Sequence, residues 1–206
     1  MARSRTAAAV IDTRRAILDH ASQLLAESGP DALSMRKLSQ RLGASTIVLY
    51  THFRDKQAIL DELFIEGFER LHADLAAVVP VADPLQCLVD LGRAYRRSAV
   101  DNATYYQLMF SRCVPGFDPS VHSRKASKQP FAILLAAVKR CIDEAAIPGG
   151  DAVQIAHALW GTLHGLISLE LFGYLSPSVS GEARLEQAIH IIRDGLCRPS
   201  PAGTSS

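Results

Sequence analysis

The sequence predicts an all-α protein, with an N-terminal three-helix domain followed by a larger helical domain. Three observations lead there. Apolar residues recur at helical spacing in segment after segment, and strand-like alternation is absent. Glycines, prolines and capping side chains punctuate those segments where helices need to start and stop. Two short amphipathic stretches, 34–42 and 45–53, stand on either side of Gly43-Ala44. Two short helices about a glycine turn make a helix-turn-helix, whose second helix can enter the DNA major groove.

Residues 1–10 are small, polar and basic, and are expected as a disordered arm that either reaches DNA phosphates or the minor groove or simply begins the chain. Thr13 is the expected N-cap of the first helix, with Ile17, Leu18, Ala21, Leu24 and Leu25 facing inward and Gly29-Pro30 ending it. Ser34 caps the second helix, which turns Met35, Leu38 and Leu42 inward. Gly43 supplies the positive φ that a helix C-terminus favours. Leu49 and Phe53, four apart, anchor the third helix. Asp55 caps a longer helix whose stripe of Ile59, Leu60, Leu63, Phe64, Gly67, Phe68, Leu71 and Leu75 continues to about Val78, before Pro80 and Pro84 mark a joint.

Further helices are predicted over 84–100, over a short segment after Asp101-Asn102, over most of 120–147, over 151–174 behind the cap Asp151, and around 185–196. Pro130 either starts the third of these or kinks it. Residues 115–119 and 176–181 are expected as loops. The segment 151–174 is apolar almost all round and so must be covered on more than one side. The resulting organisation is an arm (1–10), a helix-turn-helix domain (11–56), a helical ligand-binding and dimerisation domain (57–197) and a disordered tail (198–206).

Charge separates the two domains more clearly than composition does. Residues 1–56 hold nine Lys/Arg against five Asp/Glu, a net of +4, while the remaining residues hold thirteen against sixteen, a net of −3. A basic head on a mildly acidic body is the asymmetry of a DNA-binding module with an attached non-DNA domain. Cys87, Cys113, Cys141 and Cys197 form no C-x-x-C pair and read as reduced packing residues. The absence of a signal peptide or a long apolar run argues against a membrane and for the cytoplasm. No nucleophile-base-acid, paired-carboxylate or phosphate-loop pattern speaks for an enzyme, and no cofactor is expected. His157 and His164 are seven apart on one helix face, but a metal site needs a third or fourth ligand.

Leu49-Tyr50-Thr51-His52-Phe53-Arg54-Asp55-Lys56 resembles the L-Y-x-H-F-x-x-K signature of the tetracycline-repressor (TetR) family. Ser34-Met35-Arg36 and Leu38-Ser39-Gln40-Arg41-Leu42-Gly43 are similar to that family's second helix, with Ser39 where alanine is usual. Arg14–Ala21 is similar to its first helix. Trp160-Gly161-Thr162-Leu163-His164-Gly165 resembles a Trp-x-x-x-His-Gly pattern of one C-terminal class, and Met109-Phe110 with Pro115-Gly116-Phe117 is similar to the same class. The resemblance implies an all-helical homodimer of about nine helices per subunit. It would bind a pseudo-palindromic operator on double-stranded DNA and act as a transcriptional repressor released by a small ligand.

On that frame, Ser45 is the candidate cap of the recognition helix, and Thr46, Val48 and Thr51 are candidates for base edges, with Ile47 facing either outward or into the core. The helix carries no Arg, Asn or Gln, so bidentate pairing with guanine or adenine is unavailable from it. Ser34, Arg36, Tyr50, His52 and Lys56 are the phosphate candidates, while Lys37, Arg41 and Arg54 read as solvated surface. In the second domain Tyr95, Tyr105, Met109, Phe110, Phe131, Trp160 and His164 offer large apolar surfaces with a few polar handles, either as core or as the lining of a site for a small apolar or aromatic effector. Ile155, Leu159, Leu163, Leu166, Leu185, Ile189 and Ile192 are candidates for a four-helix dimer interface, the alternative being intrachain core. Two competing readings are a constitutive DNA-binding dimer without a ligand switch and a helical metal-dependent protein.

Overall fold

Helix α1 spans Ala2–Ser28 in the computed structural model, which describes residues 2–111 and 114–197. It begins well before the expected cap at Thr13 and takes in the residues expected as a disordered arm. Nothing between Ala2 and Thr13 breaks a helix, and Ala7-Ala8-Ala9 favour one strongly. The tail at 198–206 and Cys113 lie outside the described residues. Further along α1, Ile17 and Ala21 are fully buried, and Leu18, Leu24 and Leu25 nearly so. Gly29, at φ +73°, closes the helix by donating its N–H to the Leu25 carbonyl at 2.9 Å.

After a 3-10 turn at Pro30–Ala32 comes α2 (Met35–Leu42), whose N-terminus is held by the Ser34 hydroxyl accepting from the Lys37 N–H at 3.2 Å. Gly43 adopts φ 64° at its end, as expected. Ser39 is buried and donates its hydroxyl to the Arg36 carbonyl at 2.8 Å, so the polar atom is satisfied within its own helix. The second short helix, α3 (Thr46–His52), follows, and Leu49 and Phe53 anchor it in the core. Helix α4 (Lys56–Ala76) starts from Asp55, whose carboxylate accepts from the Ala58 N–H at 2.9 Å. That bond, with help from Arg54, holds the Asp55 carboxyl below its usual range.

The chain divides into two compact units, and neither is a single continuous stretch. The first comprises Met1–Glu69 and Asn102–Ser127, so it is larger than the head expected over 11–56. Its additional helix is α6 (Ala103–Phe110), which settles on α4 at Gly67, where a β-carbon would lie 2.6 Å from the Met109 sulfur and 3.3 Å from the Tyr105 Cβ. Tyr105, Leu108 and Val114 join Ile17, Leu38, Leu49 and Leu63 in one apolar core. The following loop is tied to α4 by the Asp61 carboxylate, which accepts from the Ser123 hydroxyl at 2.8 Å and the Ser120 N–H at 3.0 Å. Gln57 adds a donor to the Gly116 carbonyl at 2.9 Å. The four-residue α7 (Ser123–Ala126) ends this unit.

The second unit comprises Arg70–Asp101 and Lys128–Ser206. Its helices are α5 (Pro84–Asp101), α8 (Lys128–Asp143), α9 (Ala152–Leu171) and α10 (Gly181–Leu196), together with the end of α4. Pro130 sits in the first turn of α8 and so starts the helix rather than kinking it. The helix stops at Asp143, ahead of the Pro148-Gly149-Gly150 breaker, through Ala145 at φ 55°. Asp151 caps α9 by accepting from the N–H groups of Val153 and Gln154 at 2.8 and 3.3 Å. Ser180, at the end of the expected loop, caps α10 through the Ala183 N–H at 3.1 Å. Val138, Ala156 and Leu159 centre the core, with Leu88, Phe131, Leu134, Ile155 and Ile192 packed around them. Two arginine forks fasten α5 to its neighbours: Arg93 to Glu186 of α10 at 2.7 Å through both prongs, and Arg96 to Glu170 of α9 at 3.0 and 2.5 Å.

The ten α-helices among the described residues match the expected all-α class, and because only Ser127 parts α7 from α8 the tally is close to the expected nine. Among the described residues, no helix is long and apolar enough to cross a membrane.

Candidate nucleic-acid interface

The head presents α3 by burying one side of it. Leu49 is fully buried and Phe53 nearly so, while Ile47 is 73% exposed and Tyr50 55% exposed. At about 100° per residue, Ile47 and Thr51 lie nearly opposite Leu49. The two orientations left open for Ile47 therefore resolve outward. Val48 and Thr51 are exposed as well, and Thr46 is half-buried. Ser45 stands at the N-cap position but makes no side-chain capping bond, contrary to expectation. Its carbonyl instead accepts from the Val48 N–H at 3.1 Å, and its side chain remains on the exposed surface.

The candidate phosphate ligands differ in exposure. Arg36 is exposed, and Ser34, His52 and Lys56 are half-buried. The cations expected as bland surface are mostly matched locally: Arg41 holds Glu27 at 2.6 Å, and Arg54 holds Asp55 at 2.9 Å. The Arg41 fork draws the exposed Glu27 carboxyl below its usual range.

One contributor escaped the sequence reading. Arg14 of α1 donates to the His52 carbonyl at 2.8 Å, lies 4.3 Å from the centre of the Phe53 ring, and pairs with Glu62 of α4 at 2.8 Å. It therefore holds the C-terminal end of α3 through two contacts and ties it to α4 through the third. Only its place in the first-helix motif pointed to it, because a cation on the flank of an amphipathic helix adds nothing to the apolar period.

The candidate effector residues fall into two groups. In the second unit, Trp160 Nε1 donates to the Tyr95 hydroxyl at 3.2 Å, and that hydroxyl is 2.9 Å from His164 Nδ1. Phe131 packs 5.9 Å from Trp160, centre to centre, and stacks on His157 at 4.7 Å. Burial lowers the His164 pKa and favours the neutral ring. Tyr105, Met109 and Phe110 belong instead to the first unit. Tyr105 and Met109 pack at Gly67, and Phe110 packs edge-on against Phe68 at 5.5 Å. Among the described residues, no group of three or more His, Cys, Asp or Glu side chains is placed to hold a metal ion.

The candidate dimer residues face mostly inward. Leu159 and Leu185 are buried, Ile192 joins the core, and Leu163 and Ile189 approach Gly92 of α5. Ile155 is half-buried against the same core, and Leu166 is half-buried. The exposed strip of α9 carries Ala158, Gly161, Thr162 and Leu169 instead, continuing to Phe172 beyond the helix, and α10 exposes Ile191. Of the two readings left open for these aliphatic side chains, dimer interface or intrachain core, most fall to the core.

A helix-turn-helix whose second member, α3, faces outward, in a chain that continues into a helical trunk, defines a helix-turn-helix DNA-binding regulator. The chain belongs to the TetR family of bacterial regulatory proteins. The family model described as "Bacterial regulatory proteins, tetR family" matches residues 17–63, and the model "Tetracyclin repressor-like, C-terminal domain" matches residues 88–192. Members of this family are transcriptional regulators that bind DNA and respond to ligands. Among relatives, an uncharacterized HTH-type transcriptional regulator, YobS, of Bacillus subtilis (strain 168) is 25% identical over 163 residues, covering 78% of this chain and 81% of that one. The tetracycline repressor protein class D of Escherichia coli is 44% identical over 59 residues, 29% of this chain and 27% of its own. A solved structure of a protein of unknown function from Rhodococcus sp. RHA1 superposes with a TM-score of 0.79 at 29% identity, covering 90% of this chain and 96% of that one.

Proposed function

We propose that this chain is a dimeric, effector-released repressor acting in the cytoplasm on a pseudo-palindromic operator. The observation that carries this reading is the outward face of α3, with Ile47, Tyr50 and Thr51 exposed while Leu49 and Phe53 hold the helix in the core. Thr46, Ile47, Val48 and Thr51 meet base edges. Ser34, Arg36, Tyr50, His52 and Lys56 meet phosphates on either side, where uncharged hydroxyls position the helix and cations add affinity.

A second copy sets the distance between two recognition helices, since helix-turn-helix dimers engage half-sites about 34 Å apart or a multiple of that. The surface for it is the outer strip of α9 and α10. A β-carbon at Gly161 or Gly165 would meet nothing within 4 Å inside the chain. Each such glycine costs a helix about 1 kcal/mol relative to alanine, so close approach of another helix is the use that explains them.

The effector is a neutral aromatic or largely apolar compound read by Tyr95, Phe131, Trp160 and His164. Aromatic faces with one shared polar chain bind such a molecule, whereas a charged one would lose its hydration without recompense. To lower operator occupancy about 100-fold, the effector must favour the released state by about 2.7 kcal/mol.

Duplexes selected from a random library, followed by titration of the complex with neutral aromatic compounds, test the reading. The expected result is a two-to-one protein–duplex complex dissolved by at least one compound that also binds the protein alone. A monomer with no affinity for any selected duplex would overturn it. Unchanged DNA affinity with every bound compound would leave a constitutive DNA-binding dimer.

A further inference from the structure

We infer that this regulator selects its operator through a thymine 5-methyl group received by Ile47. The inference rests on the DNA-binding reading above and specifies what the helix reads. At 73% exposure Ile47 packs against little of its own chain, and it lies nearly opposite the buried Leu49. No arginine, asparagine or glutamine is present on α3. Thr51, on the same outward face, does not fill the gap, because its hydroxyl donates to the Val48 carbonyl at 2.6 Å. With its hydrogen directed back onto the helix, that side chain has a methyl group and an acceptor left for DNA. Val48 adds a second exposed aliphatic group. The outward face of α3 is thus rich in methyl groups, and its exposed hydroxyl free to donate is that of Tyr50, a phosphate candidate.

In the major groove, thymine alone among the four bases offers an apolar group, its C5 methyl; the other base edges present donors and acceptors. Ile47 set against a G·C pair would strip water from those atoms and return no hydrogen bond, which is unfavourable. Set against a thymine, it buries two apolar groups that water had kept apart. One methyl's worth of burial corresponds to about a four-fold change in affinity for each half-site, and about fifteen-fold for a symmetric pair.

The test uses the full chain and its library-selected duplex. Each thymine in the consensus is replaced in turn by deoxyuridine, which keeps the base pair and removes only the methyl. The expected result is one thymine per half-site whose replacement weakens binding about four-fold singly and about fifteen-fold when both half-sites are changed. The Ile47→Ala protein should bind the thymine and uracil duplexes equally, and its own selected consensus should relax at that position. An unchanged melting temperature for Ile47→Ala, expected at so exposed a site, separates lost reading from lost folding. A tight, sequence-specific complex indifferent to uracil at every position would overturn the inference while leaving DNA binding intact. So would an Ile47→Ala protein that still tells thymine from uracil. Failure to bind any selected duplex would overturn both readings.

Discussion

Arg14 braces the end of the recognition helix from a neighbouring helix. It engages the His52 carbonyl, the Phe53 ring and the Glu62 carboxylate from one guanidinium. Arg14→Ala should therefore cost about 1–2 kcal/mol of stability and weaken operator binding about ten-fold, because the end of α3 loses its brace. Chemical denaturation and a binding titration on the same preparation check both. In the trunk, the lowered pKa of His164 carries a pH signature. The unfolded imidazole takes up a proton near pH 6.5, whereas the buried ring does so only at lower pH. Stability should fall as pH drops through about 6.5 and continue falling to the depressed folded value. Thermal melts of His164→Gln should show a shallower decline over the same interval. Sequence revealed His164 and Tyr95 as aromatic or polar handles. Their pairing was hidden, since the partners lie 69 residues apart and share no local period.

At the scale of helices, beginnings and endings were legible where a side chain or a glycine does the work locally. Ser34, Asp55 and Asp151 cap as expected, and Gly29 and Gly43 close helices at positive φ. The exceptions have physical reasons. The start of α1 carries no capping requirement that composition could expose, and α8 ends through a left-handed alanine that no propensity rule anticipates. Gly67 lay within the apolar stripe of α4, yet its purpose appears only with α6 in place. Gly67→Ala should destabilise the protein by about 1–2 kcal/mol despite the better helix former, because Tyr105 Cβ cannot retreat as freely as the Met109 side chain. Equilibrium unfolding measures the net sign.

For the molecule as a whole, the division into two units could not be read from the order of the helices. The sequence changes character after residue 56, but the first unit recruits α6 and its loop from beyond α5. Charge and periodicity report local composition, and neither registers a segment returning to an earlier core. The same limit moved the proposed dimer surface: aliphatic size suggested Leu159 and Leu185, whereas the open strip holds Gly161 and Thr162. Gly161→Glu should leave the protomer's helix content intact, since a β-carbon there meets nothing of its own chain within 4 Å. It should also lower the solution mass to that of one subunit and abolish cooperative operator binding. Light scattering and circular dichroism on one sample distinguish this from misfolding.

The recruitment of α6 has a practical corollary for anyone wishing to borrow the DNA reader. A gene cut after residue 69 encodes all three head helices but omits Tyr105, Leu108 and Val114, which complete the oily interior around Ile17 and Leu63. The excised piece would carry raw hydrophobic surface and clump. A transplantable version needs the later segment spliced back in, through a short bridge replacing residues 70–101.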